Sequence, residues 1–234
     1  MISVFFFPYF VPMSVRSSVT ARWASLDRGA KIEIVLSFLF RLSMLAGLMA
    51  TTLRFQWAMV FVILLGLLAT FLPSLLQKNF FRNLPAEFEL LFTLFVYGSF
   101  YLGEHEGFYG KFWWWDKVLH SGSGFGLGLV SFLILYSFYA KGTLRMSSLL
   151  IALFSFTFSL ALGALWEIFE FSMDQIFFTS MQTSGIVDTM WDLIMDALGA
   201  LTMSIIGYLH LQHCLYKGEK GIIHGLIHRL IMPS

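Results

Sequence analysis

Six runs of this chain are each long and apolar enough to cross a bilayer, at approximately 32–53, 56–77, 85–103, 115–139, 146–172 and 187–211. A span takes about 20 apolar residues. Within hydrocarbon, every backbone N–H and C=O must find its partner in the segment itself or in a closed barrel, and runs of this length do so as helices. The expected fold class is therefore all-α, a polytopic membrane helical bundle of about six transmembrane helices. Composition agrees: only 12% of the residues are charged, against roughly 25% in a soluble domain.

Three segments follow from this pattern: an N-terminal interfacial or cytoplasmic segment 1–31, a six-helix transmembrane domain 32–211 and a basic cytoplasmic tail 212–234. The opening stretch MISVFFFPYFVPM has no basic region before it and contains Pro8 and Pro12, so it reads as interfacial rather than as a secretory signal or a span. The net charge of +1 excludes a strongly basic nucleic-acid binder. The single cysteine, Cys214, excludes an internal disulfide and a cysteine-based metal site.

Charge in the connections orients the spans. Arg16, Arg22, Arg28 and Lys31 precede the first run; Lys78 and Arg82 follow the second; Lys141 and Arg145 follow the fourth; Lys217, Lys220 and Arg229 lie in the tail. The intervening connections hold only Arg54, only Lys111 within an acidic and aromatic stretch, and neither lysine nor arginine around 173–186. The positive-inside rule then places both termini of this multi-pass protein in the cytoplasm. The tryptophan-rich connection and the 173–186 connection face outward.

This orientation puts nine of the fourteen acidic residues at one membrane face: Glu104, Glu106, Asp116, Glu167, Glu170, Asp174, Asp188, Asp192 and Asp196. A charge at a helix centre costs about 2.5–3.5 kcal/mol on insertion scales, so acids kept at depth mark a site by default. Polar helix ends account for Glu104, Glu106 and Asp174. They do not account for Glu167 and Asp196, which lie more than a turn inside apolar sequence.

Three motifs carry the chemistry. In WWWDKVLHSGSGFGLG (113–128), Asp116 and His120 share a helix face, and Gly124 and Gly128 continue it. Glycines at that spacing admit a close neighbouring helix. In WEIFEFSMD (166–174), Glu167, Glu170 and Asp174 form one acidic stripe; in DTMWDLIMDALGA (188–200), Asp188, Asp192 and Asp196 form another. Like charges four apart repel, and Lys117 and Lys111 are too few to neutralise them. Shared protons or a divalent metal ion complete the arrangement. The candidate metal ligands are Asp116, His120, Glu170, Asp192 and Asp196, with Glu167 and Asp188 as candidate catalytic carboxylates. Oxygen ligands suit magnesium, calcium or manganese, while His120 admits zinc or iron. Elsewhere, Glu33 and Arg41 are expected to pair with other helices, and Glu87 and Glu89 to meet headgroups or Arg82. His213, His224 and His228 belong to a basic helix lying on the inner leaflet.

At LGEHEGFY (102–109), WWDKVLH (114–120), ALWEIFEFSMDQ (164–175) and DTMWDLIMDALGA (188–200), the chain resembles the YjdF-like family of bacterial inner-membrane proteins, a resemblance that implies localisation to a bacterial inner membrane. More distantly it resembles the VanZ-like proteins, through Asp116, Lys117, His120, Glu170, Gln175, Asp192, Asp196 and Gly199. VanZ-like proteins generally carry asparagine where Asp196 stands, and an arginine before the last helix that is missing from 173–187. The VanZ-like resemblance implies a link to the cell envelope and to glycopeptide-antibiotic tolerance.

Three functions fit the sequence. One is metal-dependent hydrolysis or modification of a lipid or lipid-linked envelope precursor. The second is proton- or cation-coupled transport, and the third a non-catalytic membrane scaffold or sensor. Membrane lipids are partners in each.

Overall fold

The computed structural model describes residues 24, 26, 28–79, 86–140, 142, 145–182 and 185–217. Most of the N-terminal segment, Arg82, Lys141 and the tail histidines His224 and His228 lie outside the described residues. The ordered elements are α1 (Arg28–Leu53), α2 (Trp57–Ala69), α3 (Leu72–Asn79), α4 (Ala86–Val96) with a π-helical continuation (Tyr97–His105), α5 (Phe108–Lys111), α6 (Trp115–Ala140), α7 (Ser148–Phe177) and α8 (Ile186–Lys217). There is no strand among the described residues.

Five stretches are long and apolar enough to cross a membrane: Arg28–Leu53, Trp57–Leu75, Trp115–Ala140, Ser148–Phe177 and Ile186–His213. The sixth expected run, 85–103, folds as α4 and its π-helical continuation and is not among the five. Its hydrogen bonds widen from i→i+4 to i→i+5, as in Glu106 N–H donating to the Tyr101 carbonyl at 2.9 Å. The described residues fall into two compact units, one ending at Phe108 and one beginning at Tyr109.

In the first unit, Met44, Ile63 and Leu67 form a core joining α1 and α2, with Tyr97 and Tyr101 packed against it. The second span is broken at Thr70–Phe71. Pro73 cannot return a hydrogen bond to residue 69, and its ring disfavours helical geometry just before it. Arg41 bridges the break: Nη2 donates to the Thr70 carbonyl at 2.9 Å and to Glu89 Oε1 at 2.8 Å, and Nε donates to Thr70 Oγ1 at 3.1 Å. The guanidinium also stacks 4.8 Å from the Phe71 ring centre. Glu89, expected to meet headgroups or Arg82, turns inward to Arg41, because a buried guanidinium needs an anion; Arg82 lies outside the described residues.

Removing one partner of such a pair leaves an uncompensated buried charge. Arg41→Leu is expected to destabilise this unit by about 3–5 kcal/mol. The double variant Arg41→Leu, Glu89→Leu is expected to recover most of that loss. Denaturation midpoints in detergent check both.

The second unit is three long helices. α8 packs most extensively on α6, and α7 packs on both. Small residues set the spacing: a Cβ at Gly124 would run into the Asp196 backbone, and one at Gly199 into the backbone of Ser121 and Phe125. Ser159 Oγ donates to the Gly124 carbonyl at 2.7 Å, tying α7 to α6 at the same level. The outer faces carry exposed Val118, Ile134, Leu165, Ile168, Ile194 and Leu201. Contiguous apolar surface of this kind marks a membrane contact. α7 begins on a Ser147 cap whose side chain accepts from Leu150 N–H at 3.3 Å.

Candidate functional site

α6 starts, α7 ends and α8 starts at the same end of the three-helix unit, so their acidic stripes meet. Asp116, Lys117 and His120 occupy the first two turns of α6. Asp188, Asp192 and Asp196 descend the first three turns of α8. Glu167 stands ten residues before the end of α7, which is about 15 Å along the axis. His120, Glu167, Asp192 and Asp196 are all buried, with Asp192 and Asp196 each 1% exposed.

Two neighbouring arrangements emerge. In the first, Lys117 Nζ lies 2.8 Å from Asp188 Oδ1, 3.1 Å from Asp192 Oδ1 and 3.3 Å from Asp116 Oδ2. An ammonium group has three donors, and three carboxylates surround this one. The contact with Asp192 Oδ1 is an ion pair without hydrogen-bonding alignment.

The second arrangement centres on the imidazole. His120 Nδ1 lies 3.3 Å from Asp196 Oδ2, and Ser123 Oγ sits 3.2 Å from the other oxygen of that carboxylate. A carboxylate on Nδ1 fixes the ring tautomer and leaves the Nε2 lone pair outward. Nε2 faces Asp116 Oδ1 at 3.7 Å and Glu167 Oε1 at 3.8 Å, both beyond hydrogen-bond reach. One ligand atom from each of Asp116, His120 and Asp192 lies within 4.8 Å of the others. Glu167 is 3% exposed, and neither of its oxygens has a hydrogen-bond partner among the described residues.

The structure thus gathers Asp116, His120, Glu167, Asp188, Asp192 and Asp196. Glu170 accepts from Trp166 Nε1 at 2.9 Å, and the group of three ligand atoms within 4.8 Å of one another is Asp116, His120 and Asp192. Asp174 closes the turn after α7, accepting from Thr179 Oγ1 at 2.6 Å, Met181 N–H at 2.8 Å and Gln182 N–H at 2.9 Å. Trp113 is 84% exposed, as suits an aromatic anchor.

The sequence reading gave no role to Gly163, although it lies one turn before Glu167 on the same face. A Cβ there would collide with the Asp196 carboxylate. Gly163→Ala is accordingly expected to cost about 1–3 kcal/mol as an overpacking change. In an Asp196→Ala background the cost should fall below about 0.5 kcal/mol, because the colliding group is gone. Thermal denaturation of the four species completes that cycle.

Fold and site together define a helical membrane protein with a buried carboxylate–imidazole centre. The chain belongs to the family described as "Predicted membrane protein (DUF2238)", which matches residues 32–213. It is 34% identical over 148 residues to a Thermotoga maritima protein described as an uncharacterised protein, covering 60% of this chain and 72% of that one. No solved structure matches the chain significantly.

Proposed function

We propose that the centre binds one divalent cation and serves a hydrolytic or group-modifying reaction on a lipid or lipid-linked substrate. One observation carries this reading. His120 Nε2 and its two facing carboxylate oxygens stand too far apart to hydrogen-bond, while both Glu167 oxygens are buried without a hydrogen bond among the described residues. Two ligands each about 2.1 Å from an ion stand roughly 3.4–3.7 Å apart at tetrahedral to trigonal angles. The His120–Asp116 spacing of 3.7 Å suits such a pair, the third ligand atom, on Asp192, lies within 4.8 Å of both, and Glu167 stands beside them, 3.8 Å from Nε2.

Asp116, His120 and Asp192 would hold the ion. An ion there would supply Lewis-acid activation of water and of a phosphoryl or carbonyl oxygen. Asp196 keeps His120 in the tautomer a ligand needs. Glu167 is placed to accept a proton from water beside Nε2. Asp188 is the weaker candidate base, since its carboxylate is engaged by Lys117 at 2.8 Å.

The alternation of basic connections supports an outward-facing site in a bacterial inner membrane. The exposed Trp166 and Trp191 near it suit approach from the lipid phase. The YjdF-like motifs contain most of these residues, and the VanZ-like likeness favours an envelope substrate.

The test is reconstitution with bacterial polar lipid extract, followed by mass spectrometry of the lipids with and without added manganese, magnesium, calcium or zinc. The expected result is metal-dependent turnover of one lipid class, lost in Glu167→Gln while the ion stays bound. Bound ion without any lipid change would overturn the enzymatic reading.

Transport is the second reading. The buried hydroxyls of Ser159, Ser155, Ser131 and Ser204 continue from the acidic centre toward the other end of the unit. Ion-coupled flux into the same vesicles would favour it.

A further inference from the structure

We infer that Lys117 acts as a resident cation: its ammonium occupies a second cation position and holds the centre to one divalent ion. The inference rests on the metal-binding reading above. Around Nζ, Asp116, Asp188 and Asp192 converge from α6 and α8 at 3.3, 2.8 and 3.1 Å. Asp116 faces both ways, with Oδ2 toward Lys117 and Oδ1 toward His120 Nε2. Asp192 also belongs to both groups, since it meets Lys117 and supplies a ligand atom near those of Asp116 and His120.

Two carboxylates shared between neighbouring cation positions are the framework of a two-metal centre, whose ions stand about 3.5–4 Å apart. Here a compact point charge on a flexible stem takes one of the two positions. The cluster does not stand on acidity alone. Glu167 is buried beside it, with Oε1 3.8 Å from His120 Nε2, and its oxygens have no hydrogen bond among the described residues.

The charge balance agrees. Asp116, Glu167, Asp188, Asp192 and Asp196 carry five negative charges if ionised, and Lys117 returns one. A divalent ion at His120 offsets two more. Without Lys117, the excess negative charge is offset by a second ion at a site made only of carboxylates. Such a site suits manganese, magnesium or calcium.

The experiment is manganese stoichiometry on purified full-length protein, by elemental analysis and electron paramagnetic resonance. Wild type is expected to bind one manganese per chain with an uncoupled signal. Lys117→Ala is expected to bind two, with a spin-coupled spectrum. Lys117→Arg keeps a cation in place and is expected to remain at one.

Lys117→Gln keeps a stem and a hydrogen-bond donor among the carboxylates and is likewise expected to bind two, so a Lys117→Ala protein that fails to fold does not decide the outcome. His120→Ala should bind no manganese at the first position, and His120→Ala, Lys117→Ala should regain one ion at the oxygen-only position. One ion in both Lys117→Ala and wild type, with unchanged affinity, would overturn the inference, as would two ions in wild type. No ion in any of these proteins would overturn the metal-binding reading itself.

Discussion

Replacing His120 by alanine is expected to weaken divalent-ion binding at least about 100-fold. Loss of a residue that merely orients a ligand costs 10–100-fold in metal affinity, and His120 is itself a proposed ligand, the one nitrogen among carboxylates. Its Nδ1 also meets Asp196, so the substitution removes both the donor and the anchor that aims it. Asp192→Asn should act in the same direction, since it removes the negative charge of a side chain that is 1% exposed and shared with Lys117. Glu170→Gln should bind nearly as wild type, because its carboxylate accepts from Trp166. Calorimetric titration reads these affinities. A thermal shift provides a second readout: an ion at 100 times its dissociation constant stabilises the folded state by about 2.7 kcal/mol. That shift should vanish in His120→Ala and persist in Glu170→Gln.

The next largest effect is expected at the glycines of the α6–α8 crossing. Gly124→Ala and Gly199→Ala should each destabilise the protein by about 3 kcal/mol, the upper end of ordinary overpacking. Both new methyl groups would strike backbone atoms, of Asp196 in one case and of Ser121 and Phe125 in the other. A side chain can rotate away, whereas a helix backbone moves only as a body. The helices must then part, and they part where Asp116, His120 and Asp192 meet, so ion affinity should fall with stability. Gly122→Ala and Gly126→Ala lie on the same helix with nothing within 4 Å of the added carbon. They should be neutral, or stabilising by up to about 1 kcal/mol through helix propensity. Denaturation midpoints of the four variants separate close approach from glycine content as such.

Much of this architecture was legible in the sequence. Apolar runs announce spans because lipid admits few alternatives. The 3.6-residue period placed Asp116 with His120, and Asp188 with Asp192 and Asp196, on single faces. It also suggested that Gly124 lies at a helix contact, where the Asp196 backbone is in fact found. Periodicity says which residues share a face, but not which face meets which. Glu167 and Glu170, three residues apart, differ by about 60° around the helix; the first is buried and the second accepts from Trp166. The π-helical turn at Tyr97–His105 left no mark in hydropathy, since it changes hydrogen-bond register rather than apolarity. Arg41 capping the break before Pro73 was hidden for a similar reason. The proline is visible, but the side chain that answers it comes from another helix, 29 residues away at Thr70.

Crystals soaked in manganese, with anomalous difference density collected near its absorption edge, test the central claim most directly. The expected result is a peak about 2.0–2.6 Å from His120 Nε2 and from oxygens of Asp116 and Asp192, with Glu167 beside it. Helices α6, α7 and α8 found with those side chains turned to lipid, or a cradle without density at saturating manganese, would contradict it.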